Sequence, residues 1–167
     1  ERRWTAETFD PDRDMAELEE RIGRSLGAWD PVLRRFRDSG GKLVVWHGWN
    51  DALLSPYNSI AYHEAVAEEI SPDQVRDFFR LFMVPGVEHC RGGPGTDQFD
   101  LLSTVVAWVE EGQAPDRIIA TGRTPEGGTR TRPLCAYPEV AVYNGSGSSD
   151  DAANFTCRVP EGETPAR

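Results

Sequence analysis

The fold is decided by two segments, KLVVWHGWND at residues 42–51 and LFMVPGVEHC at residues 81–90. Residues 43–46 are a continuous apolar run after two glycines, which is the pattern of a strand buried on both faces in a parallel sheet. Residues 78–84, which are apolar except for Arg80, are predicted to be the next strand. In each segment the apolar run is followed by polar side chains.

Predicted helices alternate with these strands. Residues 29–39 are expected to be helical, with Asp30 as N-cap, Pro31 at the first helical position and the glycines at 40–41 ending the helix. The other predicted elements are helices at 57–70 and 99–110 and a third strand at 117–120. This alternation favours an α/β fold with a mostly parallel, doubly wound sheet.

We expect one globular domain, or a portion of one, with three regions. Residues 1–28 are charged, with sparse apolar positions, and are interpreted as an arm or surface helix. Residues 29–121 form the β/α core. Residues 122–167 are rich in Gly, Pro, Thr and Arg and are interpreted as an irregular wrap. The N-terminal residues contain neither an initiator Met nor an apolar leader, so we expect the chain to begin within a longer protein.

Composition narrows the classes of partner. The 167-residue chain is 38% hydrophobic, which is ordinary for a soluble globular domain. Its 28 acidic residues outnumber its 18 basic residues, and it has no long Lys/Arg run, so we expect no nucleic-acid partner. No apolar run approaches the roughly 20 residues needed to cross a bilayer, and we expect no membrane partner.

The three cysteines are an odd number. A bridge between Cys135 and Cys157 would close a Gly/Ser-rich loop that has little core of its own. Cys90 would then remain, either as a free buried thiol or bonded to a cysteine outside this sequence. Disulfides would imply an oxidising compartment, such as the periplasm or the cell exterior.

Asp51 and His89 are candidate members of a hydrolytic triad, because each follows the end of a predicted strand and they occur in the order Asp then His. Ligands of open α/β sheets bind at this edge. A carboxylate that holds one ring nitrogen fixes the tautomer of a general base and stabilises its imidazolium form. The alternative is that Asp51 caps the next helix and His89 is an ordinary loop histidine.

Other candidates are weaker. His47, His89 and Cys90 are types that bind zinc, but their spacing does not support a closed set of four ligands, and we expect no metal site. Ser25 lies in the G-x-S-x-G sequence at residues 23–27, yet the preceding residues are charged and helical in character, so a strand-to-helix turn is not expected. Trp49 follows a strand end and is the best aromatic candidate for lining a cleft.

Several separate motifs follow one another along the chain: GGKL at 40–43, HGWND at 47–51, MVPGVEHC at 83–90, GGPG at 92–95, WVE at 108–110, APDRI at 114–118, RTRPLC at 130–135 and GSGS at 145–148 leading to Cys157. In this order they resemble the tannase and feruloyl esterase family, which includes an enzyme that hydrolyses mono(2-hydroxyethyl) terephthalate. The resemblance extends over residues 9–157.

The resemblance implies the C-terminal portion of an α/β-hydrolase fold with a disulfide-tied tail. It implies that Asp51 orients His89, that His89 is the general base, and that Cys90 bonds to a Cys preceding a nucleophilic Ser upstream. The family's calcium-binding lid also lies upstream, so calcium is implied for the parent enzyme and no cofactor for this chain. Glu88 departs from the family, which commonly has a small residue there; its carboxylate could raise the pKa of His89 or contact substrate.

We therefore expect a secreted or periplasmic serine esterase that cleaves a small aromatic ester of the gallate, ferulate or terephthalate type. This chain would carry the Asp and His and would need the N-terminal remainder of the enzyme to supply the Ser. Two alternatives stay open: a non-catalytic subunit or degenerate scaffold of the same fold, and a metal-binding module.

Overall fold

The computed structural model describes residues 5–160, in two compact units that divide between Pro31 and Val32. The first unit is helical. Helix α1 spans Pro11–Leu18, and Asp10 caps it by accepting hydrogen bonds from the Asp12 and Arg13 N–H groups. A π-helical turn, Glu19–Gly23, and a short α-helical turn, Arg24–Leu26, follow it. Most of the described part of residues 1–28, which the sequence indicates to be an arm or a surface helix, is thus helical.

A β-α-β unit forms the centre of the second unit. Helix α2 (Arg34–Asp38) leads into strand β1 (Leu43–Gly48), helix α3 (Pro56–Ile70), a one-turn helix α4 (Pro72–Arg76) and strand β2 (Phe79–Val84). β1 and β2 are parallel and in register from the Leu43–Phe79 pair to the Gly48–Val84 pair. The two strands and the helix between them confirm the prediction from hydrophobic pattern.

Side chains of β2 alternate between two apolar clusters, one on each face of the sheet. Phe82 and Val84 pack with Ile118 and Leu134. Phe79 and Leu81 pack on the other face, with the buried helix and loop side chains Val66, Ile70, Val75 and Phe78. All of these β2 side chains are at most 1% exposed, and burial of such a side chain stabilises a fold by about 1.5–3 kcal/mol.

Strand β1 is more exposed than its sequence predicts. Val44 and Val45 are half-buried, although the continuous apolar run predicts a strand covered on both faces. Within the described residues 5–160, β1 pairs with β2 alone, so its other edge carries no strand. The apolar sequence of β1 therefore predicts more burial of its side chains than residues 5–160 provide.

The third predicted strand is present but pairs differently. β3 spans Arg117–Arg123 and is antiparallel to β4 (Thr129–Cys135). It follows helix α5 (Leu101–Glu111), whose N-terminus is capped by the carboxylate of Asp100. A single antiparallel bridge between Phe82 and Ala136 connects this hairpin to β2.

The C-terminal region has more regular structure than the predicted wrap. Besides β4 it contains the antiparallel pair β5 (Val140–Tyr143) and β6 (Phe155–Arg158). β5 and β6 are each four residues long, so their apolar alternation is too short to separate from a loop by pattern alone. The predicted bridge between Cys135 and Cys157 is present and joins β4 to β6, with 5.6 Å between the two Cα atoms.

Helix boundaries differ from prediction by a few residues. α2 begins at Arg34, so Asp30 is not its N-cap and Pro31 is not its first residue. Local signals define helix ends poorly, because the final turns depend on tertiary contacts. The predicted stop is correct: Gly40 has φ +82°, a left-handed conformation that glycine adopts without strain. Among the residues that the structure describes, no helix is both long and apolar enough to span a bilayer.

Candidate active site

The loop after β1 is joined to the loop after β2 by backbone hydrogen bonds. The Trp49 N–H donates to the Val84 carbonyl at 2.9 Å, and the Asn50 N–H donates to the Val87 carbonyl at 2.9 Å. Gly48 permits this approach, because a β-carbon at this position would overlap the carbonyl groups of Val87 and Glu88. Two loops that are distant in sequence are therefore held side by side at the carboxyl edge of the parallel strands.

This arrangement brings Asp51 and His89 together. Oδ2 of Asp51 lies 2.7 Å from Nδ1 of His89, which is a normal hydrogen-bond distance. The Asp51 side chain is 3% exposed, whereas the His89 side chain is 42% exposed. A buried carboxylate thus holds one nitrogen of a ring that is open to solvent.

The carboxylate of Asp51 accepts four hydrogen bonds. Oδ1 accepts from the backbone N–H groups of Leu53 at 2.8 Å and Leu54 at 2.9 Å. Oδ2 accepts from His89 and also faces Nε2 of His47 at 3.1 Å. These donors hold the pKa of Asp51 far below its ordinary value, the Leu54 N–H most strongly, against the opposing effect of desolvation. Asp51 is therefore ionised at neutral pH.

The ionised carboxylate decides the tautomer of His89. A carboxylate can only accept, so Nδ1 of His89 must carry the proton that lies between the two groups. In the neutral ring, Nε2 then has the free lone pair. This is the arrangement required of a general base whose far nitrogen is oriented by an acid.

Asp51 does not cap the next helix, which was the alternative interpretation of this residue. Asp51 does close a local turn through Leu53 and Leu54, but α3 begins later, at Pro56, with Ser55 as its N-cap residue. Asp51 therefore supports its own loop and binds His89 with its other oxygen.

His47 has a defined place that the sequence interpretation missed. Its Nδ1 lies 2.7 Å from Oγ of Ser59, in the first turn of α3, and its Nε2 faces Asp51. Alternation along β1 could have indicated this contact, because His47 shares a face with Leu43 and Val45, which belong to the cluster beneath α3. Nothing in the local sequence singles out Ser59.

The zinc interpretation of His47, His89 and Cys90 does not fit the geometry. Three ring nitrogens are already engaged by Asp51 and Ser59. No group of three or more His, Cys, Asp or Glu side chains among residues 5–160 is arranged to hold a metal ion.

The other predicted site residues lie around the pair. Glu88 is exposed beside His89, and its backbone N–H donates to the Gly92 carbonyl at 3.2 Å. Cys90 is an exposed free thiol with φ +66°, so the alternative of a free buried thiol is wrong. No cysteine of the described chain is bonded to it, and its predicted partner outside the chain stays a prediction.

Trp49 lines a cavity next to the catalytic candidates. The residue is 37% exposed, and its ring packs edge-on against Tyr57, with 5.4 Å between the ring centroids. The cavity has a volume of about 550 Å³ and includes Met83, Tyr137 and Val140 in its wall, but neither Asp51 nor His89. Trp49 thus connects this cavity to the loop that carries Asp51.

Ser25 lies in the helical first unit, within the Arg24–Leu26 turn that directly follows another helical turn. A nucleophile elbow places its serine between a strand and a helix. Residues 23–27 therefore match the G-x-S-x-G motif in sequence but do not form the strand-to-helix turn that the motif requires.

Comparison with known proteins identifies relatives. Residues 5–158 match the family model described as "Tannase and feruloyl esterase". Mono(2-hydroxyethyl) terephthalate hydrolase from Piscinibacter sakaiensis is 47% identical over 137 residues, which cover 80% of this chain and 22% of that protein. A probable feruloyl esterase from Arthroderma benhamiae is 40% identical over 136 residues, covering 78% of this chain and 25% of that protein.

A solved structure of an esterase from Aspergillus oryzae superimposes with a TM-score of 0.82 at 33% identity, covering 93% of this chain and 34% of that one. This similarity confirms the predicted α/β class as a portion of an α/β-hydrolase-like fold. The chain thus spans between about a fifth and a third of the length of the proteins it matches.

Proposed function

The chain belongs to the tannase and feruloyl esterase family, and we propose that it contributes the acid and the base of a serine carboxylic ester hydrolase that cleaves esters of aromatic acids. The observation that carries the proposal is the 2.7 Å hydrogen bond between Nδ1 of His89 and Oδ2 of Asp51. It joins residues from two loops into the acid–base half of a hydrolytic triad.

In the proposed mechanism His89 moves the protons. Its Nε2 removes the hydroxyl proton of a serine while the serine oxygen attacks the ester carbonyl carbon. In the tetrahedral intermediate, the bond between the former carbonyl carbon and the alcohol oxygen then breaks. The alcohol oxygen takes the proton from His89 as it leaves. Water repeats the sequence on the acyl-enzyme: His89 accepts one water proton, the oxygen attacks, and the serine leaves with that proton. Asp51 stabilises the imidazolium in both halves and stays ionised.

The nucleophile is proposed to lie in sequence outside this chain. Two observations support this: the chain spans a fifth to a third of its relatives, and Ser25 is in a helical segment and not at an elbow. We accordingly expect residues 1–167 to be inactive alone. The calcium implied by the family resemblance is likewise expected in the parent enzyme, outside these residues.

The proposed substrates are small esters of gallate, ferulate or terephthalate type. The names of the relatives support this range, since one acts on mono(2-hydroxyethyl) terephthalate and another is a probable feruloyl esterase. Trp49, exposed at the loop that carries Asp51, is proposed to contact the substrate, as is Glu88 beside the base. The Cys135–Cys157 disulfide supports a secreted or periplasmic location, where such bonds persist.

The test uses the full-length protein that contains this chain, assayed on methyl gallate, methyl ferulate and mono(2-hydroxyethyl) terephthalate. The wild type should hydrolyse at least one of them, His89→Gln should lose activity, and Ser25→Ala should match the wild type. Full activity in His89→Gln, or its loss in Ser25→Ala, would overturn the proposal. No turnover of any ester by a correctly folded wild type would favour the scaffold alternative.

A further inference from the structure

Asp51 Oδ2 is shared by two imidazoles, and only one of them is assigned a role by the proposed function. We propose that the second, His47, held in place by Ser59, is a positioning residue that fixes the carboxylate of Asp51 and limits how strongly it attracts the proton of His89. The inference rests on the proposed function, because it concerns the same acid–base pair.

The directions of the hydrogen bonds follow from the charge of Asp51. The ionised carboxylate accepts from both rings, so the proton on the Asp51 side of His47 is on Nε2. In neutral His47 the remaining nitrogen, Nδ1, accepts from the hydroxyl of Ser59 at 2.7 Å. The hydrogen bonds then run from Ser59 to His47 to Asp51, and from His89 to Asp51.

Burial separates the roles of the two rings. The side chain of His47 is 13% exposed, and that of His89 is 42% exposed. Both nitrogens of His47 are occupied, whereas Nε2 of His89 has the free lone pair. His89 can therefore exchange protons with a substrate, and His47 is placed to act only through Asp51.

The second imidazole has two consequences for Asp51. With Leu53 and Leu54 on one oxygen and the two rings on the other, rotation of the carboxylate would break several hydrogen bonds at once. A further donor on Oδ2 also offsets part of the negative charge, so the imidazolium form of His89 is stabilised less. Without His47, the carboxylate is less firmly oriented and more of its negative charge is left beside Nδ1 of His89.

These consequences are measurable in the pH profile of kcat/KM. The acid limb reports the protonation of the base, so it should move to higher pH in His47→Leu. Two charged residues, Glu88 and Arg91, lie in the same loop as His89, and the carboxylate of Asp97 is tied to that loop by accepting from the Gly92 N–H. Because His47→Leu changes none of these groups, a shift of the acid limb would come from the lost contact between His47 and Asp51.

Ser59, His47 and Asp51 also have the residue types of a complete triad, so Ser59 could instead be read as a nucleophile. The contacts argue against this, because Ser59 faces a largely buried ring from the middle of a helical turn, with no strand-to-helix elbow. Under the proposal Ser59→Ala lowers kcat moderately and still forms acyl-enzyme. Complete loss of acyl-enzyme in Ser59→Ala would overturn it.

The experiment compares full-length wild type with His47→Leu, His47→Gln, Ser59→Ala and the control Asn58→Ala, whose exposed side chain precedes Ser59 on the same helix. Gln can place an amide donor where Nε2 stood. We expect a fall in kcat of about 10- to 100-fold in His47→Leu, the magnitude typical of lost supporting contacts, and a raised acid limb. His47→Gln should restore most of kcat and the wild-type pH profile.

The possible failures are distinguishable. Loss of activity in His89→Gln together with a wild-type pH profile in His47→Leu overturns the role of His47 alone. An unchanged activity in His89→Gln overturns the proposed function itself. Should His47→Leu fail to fold, nitrogen-15 spectra of the labelled wild type decide the point: a proton on Nε2 and a lone pair on Nδ1 of His47 support the proposal, and the opposite tautomer overturns it.

Discussion

Oδ2 of Asp51 lies 2.7 Å from Nδ1 of His89, although the two residues are 38 positions apart in the chain. The contact depends on β1 and β2 being parallel neighbours, since both residues follow the same edge of the sheet. It also depends on Gly48, where the two loops approach closely. Local sequence therefore sets each residue type, and strand pairing sets the distance.

Asp51→Asn should lower kcat of the full-length enzyme by about 10⁴-fold with little change in KM. The amide can donate to Nδ1 of His89, which places the ring proton on Nε2 and removes the lone pair that the base needs. Steady-state kinetics on the best ester substrate measure the effect, with circular dichroism to establish folding. A folded variant that retains a tenth of the wild-type kcat or more would contradict the assigned role of Asp51.

His63 should make the protein less stable in mild acid. Its ring packs between Phe79 and Tyr137, and burial, with the nearby positive charge of Arg80, lowers its pKa from 6.5 to about 4. Between about pH 4 and pH 6.5, the unfolded chain therefore binds a proton at His63 that the folded chain does not bind. The stabilisation is fully present above about pH 6.5 and is lost as the pH falls toward 4, by at most about 1.4 kcal/mol per pH unit.

The measurement is the melting temperature between pH 4 and 7.5. His63→Phe keeps an aromatic ring between its neighbours but cannot titrate, so its melting temperature should fall less across this window than that of the wild type. Equal pH dependence in the two proteins would show that His63 is not the responsible group.

Gly48→Ala should impair both stability and catalysis, because the new methyl group overlaps the carbonyls of Val87 and Glu88 and separates the two loops. The matched control is Gly112→Ala, at the C-terminal end of α5, where φ is +72° and the surrounding space is open. That variant has only the conformational cost, about 1 kcal/mol. It should lower the melting temperature and keep the wild-type kcat/KM, so an equal loss of kcat/KM in both variants would contradict the prediction.

Removing the Cys135–Cys157 bridge should destabilise the C-terminal strands. The bond closes a loop with a sequence separation of 22, for which loop entropy predicts about 3 kcal/mol. The double variant Cys135→Ser with Cys157→Ser should melt at a lower temperature and exchange the amides of β5 and β6 faster. Unchanged amide exchange in β5 and β6 would show that their pairing does not depend on the bridge.

Much of the fold was predictable from local pattern. β1, β2 and α3 are long apolar or amphipathic runs bounded by Gly and Pro, and these signals specify an element without reference to the remainder of the chain. The hairpin of β3 and β4 and the pair of β5 and β6 were not predicted as strand pairs. Antiparallel pairing is set by partners that a local window does not contain, and β5 and β6 are in addition only four residues long.

The family, the alternation of strands and helices, and a carboxylate and an imidazole just past two strand ends can all be identified from residue type and spacing along the chain. Three contacts arise only in the folded chain: Asp51 meets His89, His47 approaches the same oxygen, and Ser59 holds His47 from the helix between the strands. Hydrogen bonds act over about 3 Å, and only the packed crossover brings these four side chains within that range.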